Sequence, residues 1–296
     1  MIIRDKPRLR DLVLAVRGSV LPHILPNLLV LMGVTAAMVW VDRRWQVLPH
    51  ADGTAFTVFG IALSLFLGFR NNAAYDRWWE ARKLWGGLLA DLRAFAREVD
   101  VFVPDPALRQ GLLRQALAFI HLHRANLRRL TGDAEVLARA PGLQEHPHPP
   151  CGALDLMARE LAAARTDGRI DGFGARSLTG RLASIALQQA GCERIAVTPL
   201  PYVYSLLIYR TTYLYCLLLP LALIQPAGWL TPVFVGIVAY VFLGLAEVTE
   251  ELSHPFGTTL NALPLDAICR AAEISLAPHL GEAAPPPLRP VNFHLG

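Results

Sequence analysis

Four apolar segments set the terms for anything this chain can fold into. Leu21–Val41, "LPHILPNLLVLMGVTAAMVWV", carries no formal charge. Phe56–Phe69 reads "FTVFGIALSLFLGF", Tyr202–Ile224 reads "YVYSLLIYRTTYLYCLLLPLALI", and Leu230–Ala246 reads "LTPVFVGIVAYVFLGLA". A helix that crosses a bilayer needs about 20 predominantly apolar residues. The first and third segments reach that length. The second and fourth are short, so each must extend into its flanks or sit inside a protein bundle. The 296 residues are 53% hydrophobic and 18% charged, against about 25% charged for a soluble domain. That balance predicts a membrane region joined to a substantial aqueous one.

The charges between the segments predict an orientation. Arg4, Lys6, Arg8, Arg10 and Arg17 precede the first segment, and Arg70, Arg77, Arg82, Lys83, Arg93 and Arg97 follow the second. Only Arg43 and Arg44 lie between the first two segments, and "QPAGW" between the last two has no Lys or Arg. Basic residues are retained on the cytoplasmic side. Both termini and the long middle are therefore expected in the cytoplasm, with four crossings. The basic N-terminal region is too long, and the apolar run after it too extended, for a signal peptide.

The middle repeats apolar residues at helical spacing in "LWGGLLADLRAFAREVDVFV" and "LRQGLLRQALAFIHLHRANLRRL". "GALDLMARELAAART" and "ARSLTGRLASIALQQAGCERI" read as further helices, "PGLQEHPHPP" as a loop, "DGRIDGFG" as a turn and "GEAAPPPLRP" as an extended tail. The expected class is all-α. Its divisions are 1–20 as a cytoplasmic N-terminal segment, 21–69 as the first two membrane helices, 70–201 as a cytoplasmic helical domain, 202–246 as the last two membrane helices and 247–296 as a cytoplasmic C-terminal segment. The net charge of +4 comes without an arginine-rich run, so nucleic acid is set aside. Cys151, Cys192, Cys216 and Cys269 are far apart with no C-x-x-C pair, which argues against a zinc site or a disulfide framework.

Several polar residues need an account. Arg210 lies inside the third segment, where a lipid-facing Arg costs at least about 2.5 kcal/mol at the bilayer centre; it is expected to snorkel or to face protein. His121 and His123 are two apart on a predicted helix and do not share a face. Glu145, His146, His148 and Cys151 are metal-capable but lie in a Pro-rich loop without ligand spacing. "DGRIDG" lacks the third acidic position and terminal Glu of a calcium loop. No catalytic motif and no cofactor signature is present, and the chain is not expected to be an enzyme.

Ile61, Leu65 and Phe69 recur four residues apart and form one stripe along a helix. Such a stripe most often packs against another helix. Repeated around an axis by several copies, it becomes a stack of apolar rings that gates a pore by dewetting. Asn71 and Asn72 follow it.

"GFRNNAAYDRWWEARKLWG", "GCERIAVTPLPYVYSLLIYRTTYLYCLLLP" and "EELSHPFGTTLNALPLD" closely resemble the bacterial branch of the bestrophin family of ion channels. Arg77-Trp78-Trp79 and Pro255-Phe256-Gly257 carry the resemblance together, and it covers nearly the whole chain. It implies a homopentamer around one pore, with a hydrophobic neck formed by the second membrane helix. Counted back from Arg77, the neck residues are Ile61, Leu65 and Phe69. Asn71 and Asn72 then open the vestibule, and a second, cytoplasmic constriction falls near Phe173, with Ile170 as the alternative. Animal members carry an acidic run after Pro-Phe-Gly that helps bind calcium. Thr258, Thr259, Leu260, Asn261 and Ala262 stand there instead, so calcium activation is not carried over, and neither is ion selectivity.

The leading expectation is a passive pentameric channel for small monovalent ions in the lipid of a bacterial inner membrane, without a cofactor or a bound metal. A secondary transporter would show inverted repeats and a midplane ionisable site, for which Arg210 is the candidate. A membrane-anchored enzyme or scaffold would place its working part in the cytoplasmic helices.

Overall fold

The computed structural model describes residues 1–3, 15–16, 18–143 and 145–296. The basic residues Arg4, Lys6, Arg8, Arg10 and Arg17 lie outside the described residues, as does Gln144. Ten α-helices follow in order among the described residues: α1 Leu21–Trp45, α2 Gly53–Phe102, α3 Pro106–Arg128, α4 Ala134–Arg139, α5 Pro149–Thr166, α6 Gly172–Val197, α7 Tyr202–Leu218, α8 Pro220–Ala227, α9 Thr231–Ser253 and α10 Leu265–Leu280. Two isolated β-bridges involve Ile2, Val291 and His294. The chain divides into two compact units. One is Asp5–Trp78 with Pro199–His254, and the other is Met1–Arg4, Trp79–Thr198 and Pro255–Gly296.

Among the described residues three stretches are long and apolar enough to cross a membrane: Leu21–Trp45, Gly53–Phe102 and Tyr202–Ser253. The last holds both the third and the fourth expected segments, and it is a hairpin. Ser205 near the start of α7 and Glu250 near the end of α9 bond the same guanidinium, that of Arg70. Tyr215 and Cys216 of α7 share a core with Val235 and Ala239 of α9. The reversal turns on Gly228, whose φ of +55° suits glycine. A Cβ there would also lie 2.5 Å from the Arg43 guanidinium. At the same end of α1, next to Arg43, buried Asp42 accepts from the Leu48 N–H (3.2 Å) and contacts His50 Nε2 (2.9 Å). Those bonds hold the turn that leads toward α2.

The second apolar segment proves to be the start of a 50-residue helix. No Pro lies between Gly53 and Phe102, and Pro104 stops the helix just beyond. The compact units part along this helix at Trp78/Trp79. A helix without a breaker carries its backbone hydrogen bonds past the point where its side chains turn polar.

The second unit is a helical body around fully buried Trp85, Leu88, Leu92 and Phe95 of α2, Phe119 and Ile120 of α3, Met157 and Leu161 of α5, and Leu178 of α6. On α2 these fall at positions 85, 88, 92 and 95, the spacing of one buried helical face. One expectation is corrected here. Helix α6 starts inside the expected turn, at Gly172, because the Asp171 carboxylate accepts from the Gly174 N–H at 2.6 Å and caps it. The C-terminal segment supplies α10, whose Leu265, Ala272 and Leu276 are buried. Trp79, at the start of this unit, is 46% exposed.

Candidate pore-lining face of helix 2

Within the first unit α2 has two unlike faces. Leu63, Leu67, Arg70 and Ala74 are buried at 5%, 1%, 6% and 0% exposure. Ile61, Leu65 and Phe69 stand at 64%, 57% and 63%. At 100° per residue these sets lie on opposite sides of the helix. The fold of one chain uses the Leu63–Leu67 stripe for its own core and leaves the Ile61–Leu65–Phe69 stripe uncovered. Asn71 is half-buried and Asn72 exposed, so the polar pair begins where the stripe ends. Ser64 donates to the Ile61 carbonyl at 2.8 Å, so its hydroxyl is satisfied within the helix. Phe69 also lines an apolar groove of about 570 Å³ with Phe66, Tyr204 and Leu207, between α2 and α7.

The buried face carries a charge, Arg70, whose partners sequence reasoning did not give. Arg70 donates through Nη2 to Ser205 Oγ at 2.7 Å and to Glu250 Oε2 at 2.8 Å. Arg77 donates through Nε to the Ser253 carbonyl at 2.8 Å. Two arginines a helical repeat apart thus tie α2 to the end of α9. The available signal was an Arg directly after an apolar run, with Glu247, Glu250 and Glu251 at the end of another. Arg210 is exposed on α7.

In the second unit Phe173 is 82% exposed on the first turn of α6, while Ile170 is 4% exposed and belongs to the core. The two histidines of α3 diverge as their spacing requires. His121 Nε2 lies 2.8 Å from Glu273 Oε1, and burial lowers its pKa. His121, Glu135 and Glu273 are close enough together to hold a metal, but Arg139 (2.7 Å) and Arg270 (3.0 Å) occupy the Glu273 carboxylate. The cluster is an ion-pair network. His123 is wholly buried and stacked between Trp85 and Phe119, and burial pushes its pKa down to about 3. His148 caps α5 by accepting from the Cys151 N–H, so the "EHPHPPC" loop closes on itself.

An exposed apolar stripe opposite the packed face of a long helix suits a channel, and comparison with known proteins decides the family. The model of bacterial and fungal bestrophin proteins matches residues 1–278. The chain belongs to the bestrophin family. A voltage-dependent anion channel-forming protein of Mesorhizobium japonicum is 46% identical to it, over 99% of this chain and 97% of that one. The protein of that description from Escherichia coli K12 is 39% identical over 97% and 96%. A solved bestrophin homolog from Klebsiella pneumoniae superimposes with a TM-score of 0.82 at 31% identity, covering 88% of this chain and 99% of that one. Bestrophins are membrane channels, and this one is not an enzyme.

Proposed function

We propose that the chain assembles as a homopentamer and conducts small monovalent ions passively through a neck of Ile61, Leu65 and Phe69, one set from each α2. The observation that carries this reading is the exposure of those three residues on the face opposite the core stripe. An apolar face left uncovered by its own chain needs lipid, a partner or a pore axis, and the polar Asn71 and Asn72 at its end favour the axis. An uncharged neck conducts when it wets or widens. Asn71 and Asn72 then open the wetter vestibule, and Phe173 supplies a second ring. Ile170 is set aside as that ring, because a core residue cannot line an aqueous path. The α7–α9 hairpin supports four crossings per chain, with both termini in the cytoplasm of a bacterial inner membrane. The naming of the relatives makes anions the first ions to test.

The test is ion flux in liposomes. Replacing Ile61, Leu65 and Phe69 together by Ala is expected to raise flux several-fold while the assembly keeps its mass in detergent. Unchanged flux in a correctly assembled protein removes the neck assignment. Reversal potentials under asymmetric salt then give the sign of the permeant ion.

A further inference from the structure

Helix α4 is six residues long, too short to persist without tertiary contacts. It forms one wall of a groove of about 480 Å³, whose lining includes Leu122 and Ala125 of α3 and Val136 of α4 itself, all three buried. Ionic contacts at both ends tie α4 to the body. Asp133, its N-cap, meets Arg124 Nη2 at 2.6 Å. Arg139, its last residue, meets Glu273 Oε1 of α10 at 2.7 Å.

The same Glu273 oxygen accepts from His121 Nε2 at 2.8 Å. An ionised carboxylate only accepts, so the neutral ring carries its proton on Nε2. Its Nδ1 is then buried without a hydrogen-bond partner. His121 and Glu273 are 3% and 5% exposed. A second proton on this ring would sit on Nδ1, where no acceptor is in place, and a buried donor without an acceptor is costly. It would also set a second cation beside Arg139 on one oxygen. The other charges about the ring are Arg124 of α3, Glu135 of α4, whose carboxylate lies within 4.8 Å of a His121 nitrogen, and Arg270 of α10, 3.0 Å from Glu273 Oε2. His148, ahead of α5, bears on neighbouring His123. Burial first, then Arg139, disfavours the charged ring, and the opposing pull of Glu273 does not make up the difference.

We propose that His121, Glu273 and Arg139 form an acid-operated latch on α4: a proton taken up by His121 from solvent frees Arg139 from the shared oxygen, and α4 swings away from the groove it walls. Glu135 and Arg139, the α4 groups that stand over the ring, leave with it and let water reach Nδ1. The closed body resists the proton, whereas an opened, hydrated ring takes it at the ordinary value of about 6.5. Acid therefore favours opening. A group lowered in the closed form holds the latch at full strength above 6.5 and weakens it as the pH falls. The latch lies within the second unit and does not depend on the neck assignment.

Amide hydrogen exchange reads local opening directly. The full chain is followed by mass spectrometry in detergent with EDTA present, each rate corrected for the intrinsic pH dependence of exchange. Opening linked to one proton raises the corrected rate of amides 134–140 about tenfold between pH 7.5 and 5.5, with the α2 core around Trp85 changing less. His121→Gln keeps an N–H for Glu273 and cannot take a proton; it is expected to hold α4 protection flat across that range. Arg139→Gln is expected to release α4 already at pH 7.5. His123→Phe is expected to leave the response intact. Should His121→Gln fail to fold, exchange of the histidine ring C2 proton in the unaltered chain replaces it, with a His121 midpoint below 6.5 expected and one at or above 6.5 overturning the latch. A flat response in the unaltered chain, protection that rises on acidification, a fall that persists in His121→Gln, or a fall shared equally by the α2 core also overturns it.

Discussion

The two units treat the same side chains in opposite ways. In the unit of α1, the first half of α2 and α7–α9, large apolar residues face outward: Leu29, Val30, Val58 and Ile61 are all more than half exposed. In the unit of α3–α6 and α10, Trp85, Phe95 and Phe119 are fully buried, and charges form networks at its margins. Arg124 bridges Asp266 (2.5 Å) and Asp133 (2.6 Å), and Arg128 reaches Asp266 at 2.7 Å. The difference reflects the solvent. Water drives apolar groups inward at about 25 cal/mol per Å². Lipid gives no such drive, and helices there associate by close packing. Gly236 of α9 accordingly lies so near Met32 of α1 that a Cβ would meet its sulfur at 2.8 Å.

Four measurements test how far the contrast holds. Phe95→Ala, in the water-driven core, is expected to cost about 3–5 kcal/mol, read as a lower denaturation midpoint; a loss under 1 kcal/mol would mean that the site collapses or was never packed. Arg124→Ala leaves Asp133 and Asp266 without their shared cation. Burial alone raises Asp266, but hydrogen bonds and charge from Arg128 and Arg124 outweigh it and hold that carboxyl below its usual range. The expected loss is about 3 kcal/mol, checked by chemical denaturation at pH 7.

The third measurement is stability against pH. His123 titrates near 6.5 when unfolded and at about 3 when folded, so the unfolded chain binds more protons between those values. Its contribution is complete above pH 6.5 and falls by about 1.4 kcal/mol per pH unit as the medium is acidified toward 3. Roughly 2 kcal/mol is expected to be lost by pH 5. His123→Phe, which keeps the stack on Trp85 and Phe119, should flatten that part of the curve; an unchanged slope would assign it to other groups. The smallest effect is expected in the lipid-facing unit. Gly236→Ala forces Met32 aside and should cost about 1–2 kcal/mol, seen as a lower melting point in detergent with flux retained. A neutral outcome would show that α1 and α9 have room to part.

Much of this was legible in the chain. The uncharged run Leu21–Val41 and the run Tyr202–Ile224, charged only at Arg210, announced membrane helices because few other structures satisfy such sequences. The Ile61, Leu65 and Phe69 stripe was visible because helical geometry puts every fourth residue on one side. The turn at "DGRIDG" was visible, but its end was not: only the Asp171 cap shows that the helix takes in Gly172 and Phe173. Helix α10 was missed because its apolar residues follow a Pro-rich, irregular approach, and Arg70 because its partners lie 135 and 180 residues away.

Sequence alone determined the all-helical class, the apolar segments and the Ile61–Leu65–Phe69 stripe of α2, because these depend on composition and on a period of 3.6 residues. Tertiary structure alone decided which stripe is core and which is open, that Tyr202–Ser253 doubles back, and that Phe173 is open where Ile170 is closed. Periodicity says which residues share a face; only the packing of distant helices says what that face meets.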